Sequence, residues 1–77
     1  MNAESLPRLV YMANQIGTFF RGTGEDKVVV GVSDHIRKFW DPRMRREIIA
    51  HLQAGGEGLD PTVRTAVGLL KPPVSAP

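Results

Sequence analysis

The stretch Lys27-Val-Val-Val-Gly-Val-Ser-Asp-His-Ile-Arg-Lys-Phe-Trp40 decides the fold of this chain. Its opening, KVVVGV over residues 27–32, has the β-branched content of a strand. Continued to Trp40, the pattern changes. At about 100° per residue, Val28, Phe39, Val32, Ile36, Val29 and Trp40 fall within roughly 120° of a helix circumference, and Arg37, Asp34 and Lys38 lie opposite. One coherent face sustained from Val28 to Trp40 outweighs the local propensity of a few valines. The stretch is predicted helical, with His35 on the border of its apolar face.

Downstream, Asp41-Pro42 ends this helix and starts the next. A residue before proline is pushed out of helical geometry, aspartate suits the N-cap, and proline suits the first helical position. The helix from Pro42 to about Ala54 turns Met44, Ile48, Leu52 and Ile49 to one side and Arg46, Arg43 and Glu47 away. Gly55, Gly56 and Gly58 mark a stop and a turn. Asp60-Pro61 repeats the start signal for a short last helix on which Ala66, Leu70, Val63 and Val67 align.

Upstream, a first helix is predicted from about Leu6 to Arg21, with Ser5 as N-cap and Pro7 in its first turn. Phe19, Met12, Ile16, Leu9, Phe20, Ala13, Leu6 and Val10 occupy about half its circumference, although roughly 100° suffices to face one core. The surplus width serves either a second neighbour inside the bundle or another protein. Gly22-Thr23-Gly24 breaks this helix, and Thr23 followed by Asp26 reads as a capping box that opens the next. The expectation is an all-α bundle of three to four short helices, one domain over residues 1–70, with a disordered tail over 71–77.

With 77 residues the chain has room for one small domain, which buries only roughly 60% of its unfolded surface. Cysteine is absent, which removes disulfides, thiolate metal sites and thiol nucleophiles and fits a reducing compartment. Met1 to Pro7 lacks the basic patch of a secretory leader, and the longest unbroken apolar run, Val28 to Val32 with its glycine, is too short to span a bilayer. A soluble, cytoplasmic protein is expected. The net charge of +2 is modest for a dedicated nucleic-acid binder. With so thin a core, a partner is the remaining source of stability.

Motifs for chemistry are few. Ser33-Asp34-His35 has the residue types of a catalytic triad, but adjacent helical side chains point about 100° apart and cannot form that chain of hydrogen bonds. Gly22-Thr-Gly-Glu-Asp-Lys27 lacks both the spacing of a phosphate loop and a leading strand. His35 and His51 have no carboxylate or thiol at ligand spacing, so no catalytic, cofactor-binding or metal residues are assigned. The basic residues Arg37, Lys38, Arg43, Arg45 and Arg46 admit three readings: a solvated surface, a docking surface beside an exposed tryptophan, or a nucleic-acid recognition helix. The candidate partner-binding residues are Phe19, Phe20, His35, Arg37, Lys38, Phe39, Trp40, Arg43 and Arg45, of which Phe20 and Phe39 are the ones most expected in the core.

Three segments carry a further likeness: Met12-Ala-Asn-Gln-Ile-Gly-Thr-Phe-Phe20, Asp34-His-Ile-Arg-Lys-Phe-Trp-Asp-Pro-Arg-Met44, and Gly55-Gly56 with Gly58-Leu-Asp-Pro61. Together, in this order, they resemble the delta subunit of the cytoplasmic NAD-dependent, molybdenum-containing formate dehydrogenases. The likeness runs from about Leu6 to Val67. It implies a small non-catalytic subunit that supports assembly or stability of the complex, its partner being the molybdenum-containing catalytic subunit. The molybdopterin guanine dinucleotide, iron–sulfur clusters, FMN and NAD of such an enzyme are expected in the larger subunits. The alternative from the residues alone is a small basic helical protein that binds nucleic acid.

Overall fold

The computed structural model describes residues 5–72. Those residues form four helices: α1 (Leu6–Phe20), α2 (Glu25–Phe39), α3 (Pro42–Gln53) and α4 (Pro61–Gly68). The described residues contain no strand, so the KVVVGV run is helical as the longer periodicity predicts. From residue 73 onward the tail expectation falls outside the described residues.

Each helix end has a local cause. Glu25 and Asp26 in the first turn of α2, and Arg37 and Lys38 in its last, oppose the helix dipole at both ends. The Asp41 carboxylate accepts a hydrogen bond from Met44 N at 2.9 Å, the expected cap of α3. Asp60 departs from that expectation and makes no side-chain cap on α4. The Thr23 capping box does not form either. Its hydroxyl donates back to Phe20 O at 2.8 Å, closing α1, and the residue that opens α2 is Gly24, whose φ of 106° favours glycine.

α2 is the spine. It packs chiefly along α4 and α1, while α4 also lies on α3 and α1. Val28, Val32, Ile36 and Trp40 form its buried line at four-residue spacing, meeting Leu9 and Ala13 of α1, Ile48 and Ile49 of α3, and Val63, Ala66 and Val67 of α4. Trp40 is only 5% exposed, whereas Phe39 is 72% exposed. Both findings correct the sequence expectation, which placed the tryptophan outside and Phe39 in the core. The buried line steps by four residues and so drifts about 40° around α2 at each step, which brings the core side at the last turn to Trp40. Phe39, about 100° behind it, falls beside that line and lies against His35. Phe20 is half-buried against the core, as expected.

α1 meets α4 at a close approach over Gly17, where a Cβ would come within 2.6 Å of Val63 Cγ2. Beyond that contact, Asn14 grips the loop that leads into α4. Its Nδ2 donates to Gly58 O at 2.9 Å and its Oδ1 accepts from Asp60 N at 2.9 Å, with the buried Leu59 between them. His51 and Arg64 tie the same loop from α3 and α4: the ring Nε2 donates to Glu57 O at 2.7 Å and the guanidinium to Gly56 O at 3.2 Å. At about 0.5–1.5 kcal/mol for each hydrogen bond, Asn14→Ala is expected to cost about 1–3 kcal/mol. That corresponds to a fall in Tm of about 4–8 °C per kcal/mol in a domain of this size. A thermal melt by circular dichroism checks it, and an unchanged Tm would remove Asn14 as a clamp.

Candidate functional site

The surface most unlike the rest of the molecule lies between α1 and α2. Ile16, Phe19 and Phe20 of α1 and His35 of α2 line an almost wholly apolar groove of about 300 Å³, with Gln15 at its edge. Phe19 is 81% exposed and meets Phe20 edge-to-face at a centroid distance of 5.2 Å. The His35 ring lies 4.8 Å from that of Phe39, tilted by 41°. Room for Phe20 comes from Gly31: any Cβ at that position would sit 2.9 Å from the phenylalanine ring. Four of the candidate residues, Phe19, Phe20, His35 and Phe39, are thus carried on one face. Trp40 belongs to the core, so no exposed tryptophan accompanies the arginines.

The basic candidates do not form one patch. Asp34, one turn back on α2, pairs with both Arg37 and Lys38, the latter at 3.0 Å. The hydrogen bond from Lys38, helped by the positive charge of Arg37, holds the Asp34 carboxyl below its ordinary pKa. Arg43 reaches Glu47 on its own helix at 3.3 Å. Arg45 turns to α2 and donates from Nη1 to Arg37 O at 3.4 Å. A nucleic-acid reading requires an unbroken positive stripe; here the cations at 37, 38 and 43 are interleaved with carboxylates of their own helices.

Ser33, Asp34 and His35 point apart, as the helical geometry requires. The Ser33 hydroxyl donates to Val30 O at 3.2 Å, Asp34 holds its two cations and His35 stacks on Phe39. Gly22-Thr23-Gly24 serves as the turn from α1 to α2. His51 is bound to the α3–α4 loop, and among the described residues no group of three or more His, Asp or Glu side chains converges on a metal-sized site. An iron–sulfur cluster held by thiolates does not fit this chain, which has no cysteine. None of the described helices is long and apolar enough to cross a membrane.

Sequence reasoning had Ile16 in the apolar stripe of α1 but not in a groove, and it passed over Gly31 and Asn14. A glycine inside a β-branched helical run was the available signal for a ring packed over it. Nothing local marks Asn14, whose partners lie more than forty residues away.

No match was found among curated proteins or among solved structures. A family profile, that of the NADH-dependent formate dehydrogenase delta subunit FdsD, matches residues 8–67. That range takes in the aromatic groove, the Asp41-Pro42 corner, the Asn14 clamp and nearly all of the four helices. Its coverage of most of the 77 residues places the chain in a family: it belongs to the NADH-dependent formate dehydrogenase delta subunits.

Proposed function

We propose that this chain is a non-catalytic subunit of a cytoplasmic, NAD-dependent formate dehydrogenase, and that it supports assembly or stability of the molybdenum-containing catalytic subunit by docking through the groove between α1 and α2. The observation that carries the reading is a groove with almost no polar lining, whose wall includes Phe19, 81% exposed, and His35, against which Phe39 lies 72% exposed. Large exposed aromatics in water gain most from a partner, because they bury much area for little lost side-chain entropy. On this reading the larger subunits carry the molybdopterin guanine dinucleotide, iron–sulfur clusters, FMN and NAD, and this chain contributes surface rather than chemistry.

The test is co-expression of a tagged chain with the larger subunits, followed by affinity purification. The wild type should bring down subunits with formate-dependent NAD reduction. Phe19→Ala and Phe39→Ala should each weaken capture by about 30-fold, as for hot spots worth about 2 kcal/mol, while leaving the helical spectrum of the isolated chain unchanged. Capture of the double variant at wild-type yield would place docking elsewhere. Active enzyme assembling with no bound small chain would overturn stable association itself.

A further inference from the structure

A second cavity lies where the C-terminal end of α2, the first turns of α3 and the end of α4 meet. It encloses about 580 Å³, and its wall includes Arg37, Arg45 and Lys71 together with Pro42, Leu69 and Leu70. It contains three cationic residues and no acidic one. Arg37 spends part of its charge on Asp34, but Lys71 has no ion pair among the described residues.

Arg45 is the unusual member. Among the described residues its one side-chain hydrogen bond is the 3.4 Å contact from Nη1 to Arg37 O, and Nε is a buried side-chain nitrogen with no acceptor. A guanidinium held by one long bond, with a buried Nε that has no acceptor on its Nε–Nη2 edge, is costly as it stands and needs little to be re-aimed. The group that satisfies that edge best is a carboxylate, whose two oxygens match the two parallel N–H directions. The apolar side chains of Leu69, Leu70 and Pro42 in the same wall favour an acidic side chain flanked by apolar residues.

We propose that this cavity is a second docking site, and that it receives an aspartate or glutamate side chain of the partner subunit on the Nε–Nη2 edge of Arg45, with Lys71 adding charge. The inference rests on the docking role proposed above and adds a separate surface to it. Arg37 and Phe39 are two positions apart on α2, about 200° around the helix, so the cavity and the aromatic groove open on different sides of the same spine. A partner that engages both must wrap α2 or contribute two segments. The charge contact supplies orientation that an apolar groove cannot.

Affinity of the purified chain for enzyme lacking it, measured against ionic strength, tests the site. Arg45→Met should weaken binding by about 30-fold at low salt and flatten the salt dependence, and Arg45→Lys should recover only part of it, since an ammonium keeps the charge but not the fork. Lys71→Met should reduce the salt dependence with a smaller loss of affinity. Wild-type affinity and salt dependence in both methionine variants, with Phe19→Ala still weakened, would overturn the carboxylate site and leave the groove standing. A wild-type chain that does not bind at all would overturn both. Circular dichroism of each variant separates lost docking from lost folding.

Discussion

Trp40→Ala is expected to leave the chain unfolded or barely folded, while the same change at its neighbour Phe39 leaves stability nearly untouched. Trp40 ends the buried line of α2, against a core built from all four helices and Leu59. Truncating a buried aromatic to alanine costs about 3–5 kcal/mol, counting both lost transfer energy and the cavity left behind. At about 0.05–0.15 kcal/mol per residue, a chain of this length has roughly 4–12 kcal/mol in total. The loss is therefore between about a quarter and all of what holds it together. Phe39 stands largely in water, so its truncation removes one ring contact with His35 and little burial. Urea titration of both variants by circular dichroism reads the contrast directly. Equal midpoints for Trp40→Ala and wild type would show that the tryptophan is not core. In the wild type, Trp40 is the single tryptophan, so its emission should be blue-shifted when folded and move to the red as urea unfolds the chain.

Gly17→Ala is expected to destabilise, against the ordinary trend for glycine in a helix. Replacing an interior helical glycine by alanine normally gains about 0.5–1 kcal/mol, because it restricts the unfolded chain. At position 17 the added methyl would lie 2.6 Å from Val63 Cγ2, well inside contact distance, and α1 would have to lift from α4. Overpacking of this kind costs about 1–3 kcal/mol, so the steric term wins. Val63→Ala removes the clashing methyl. The two changes together should then be less damaging than the sum of their separate effects, with a coupling of about 0.5–3 kcal/mol. A double-mutant cycle in urea measures it. Stabilisation by Gly17→Ala alone would mean that the two helices are not in such close contact.

These expectations show which parts of the molecule are visible in its sequence. Helix positions were legible because caps and periodicity are local: Asp41-Pro42 announces α3, and the sector from Val28 to Trp40 outvotes the β-branched run. The family likeness quoted from about Leu6 to Val67 agrees with the range that the profile matches, residues 8–67. What stayed hidden depends on how a buried line drifts around a helix or on distance along the chain. Trp40 and Phe39 exchange the roles expected of them because the buried line drifts around α2 toward its C-terminal end, and a shared sector of about 120° does not say which of its members is covered there. Asn14 falls on the polar half of α1 and gives no sign that it holds the loop before α4. The basic cluster reads as one surface in sequence and divides in space, since the Asp41-Pro42 corner sends Arg45 back toward Arg37 while Arg43 pairs within α3.

The Asn14 clamp also sets an order of events during synthesis. α1 leaves the ribosome first, yet its amide partners at Gly58 and Asp60 follow 44 and 46 residues later, and Val63, which closes on Gly17, later still. At about 5–20 residues per second, α1 waits roughly 2–9 seconds before its last neighbours are made. Throughout that interval its wide apolar half has only α2 and then α3 to lie against, so a nascent chain is most open to mispairing, or to capture by a partner, before translation reaches α4.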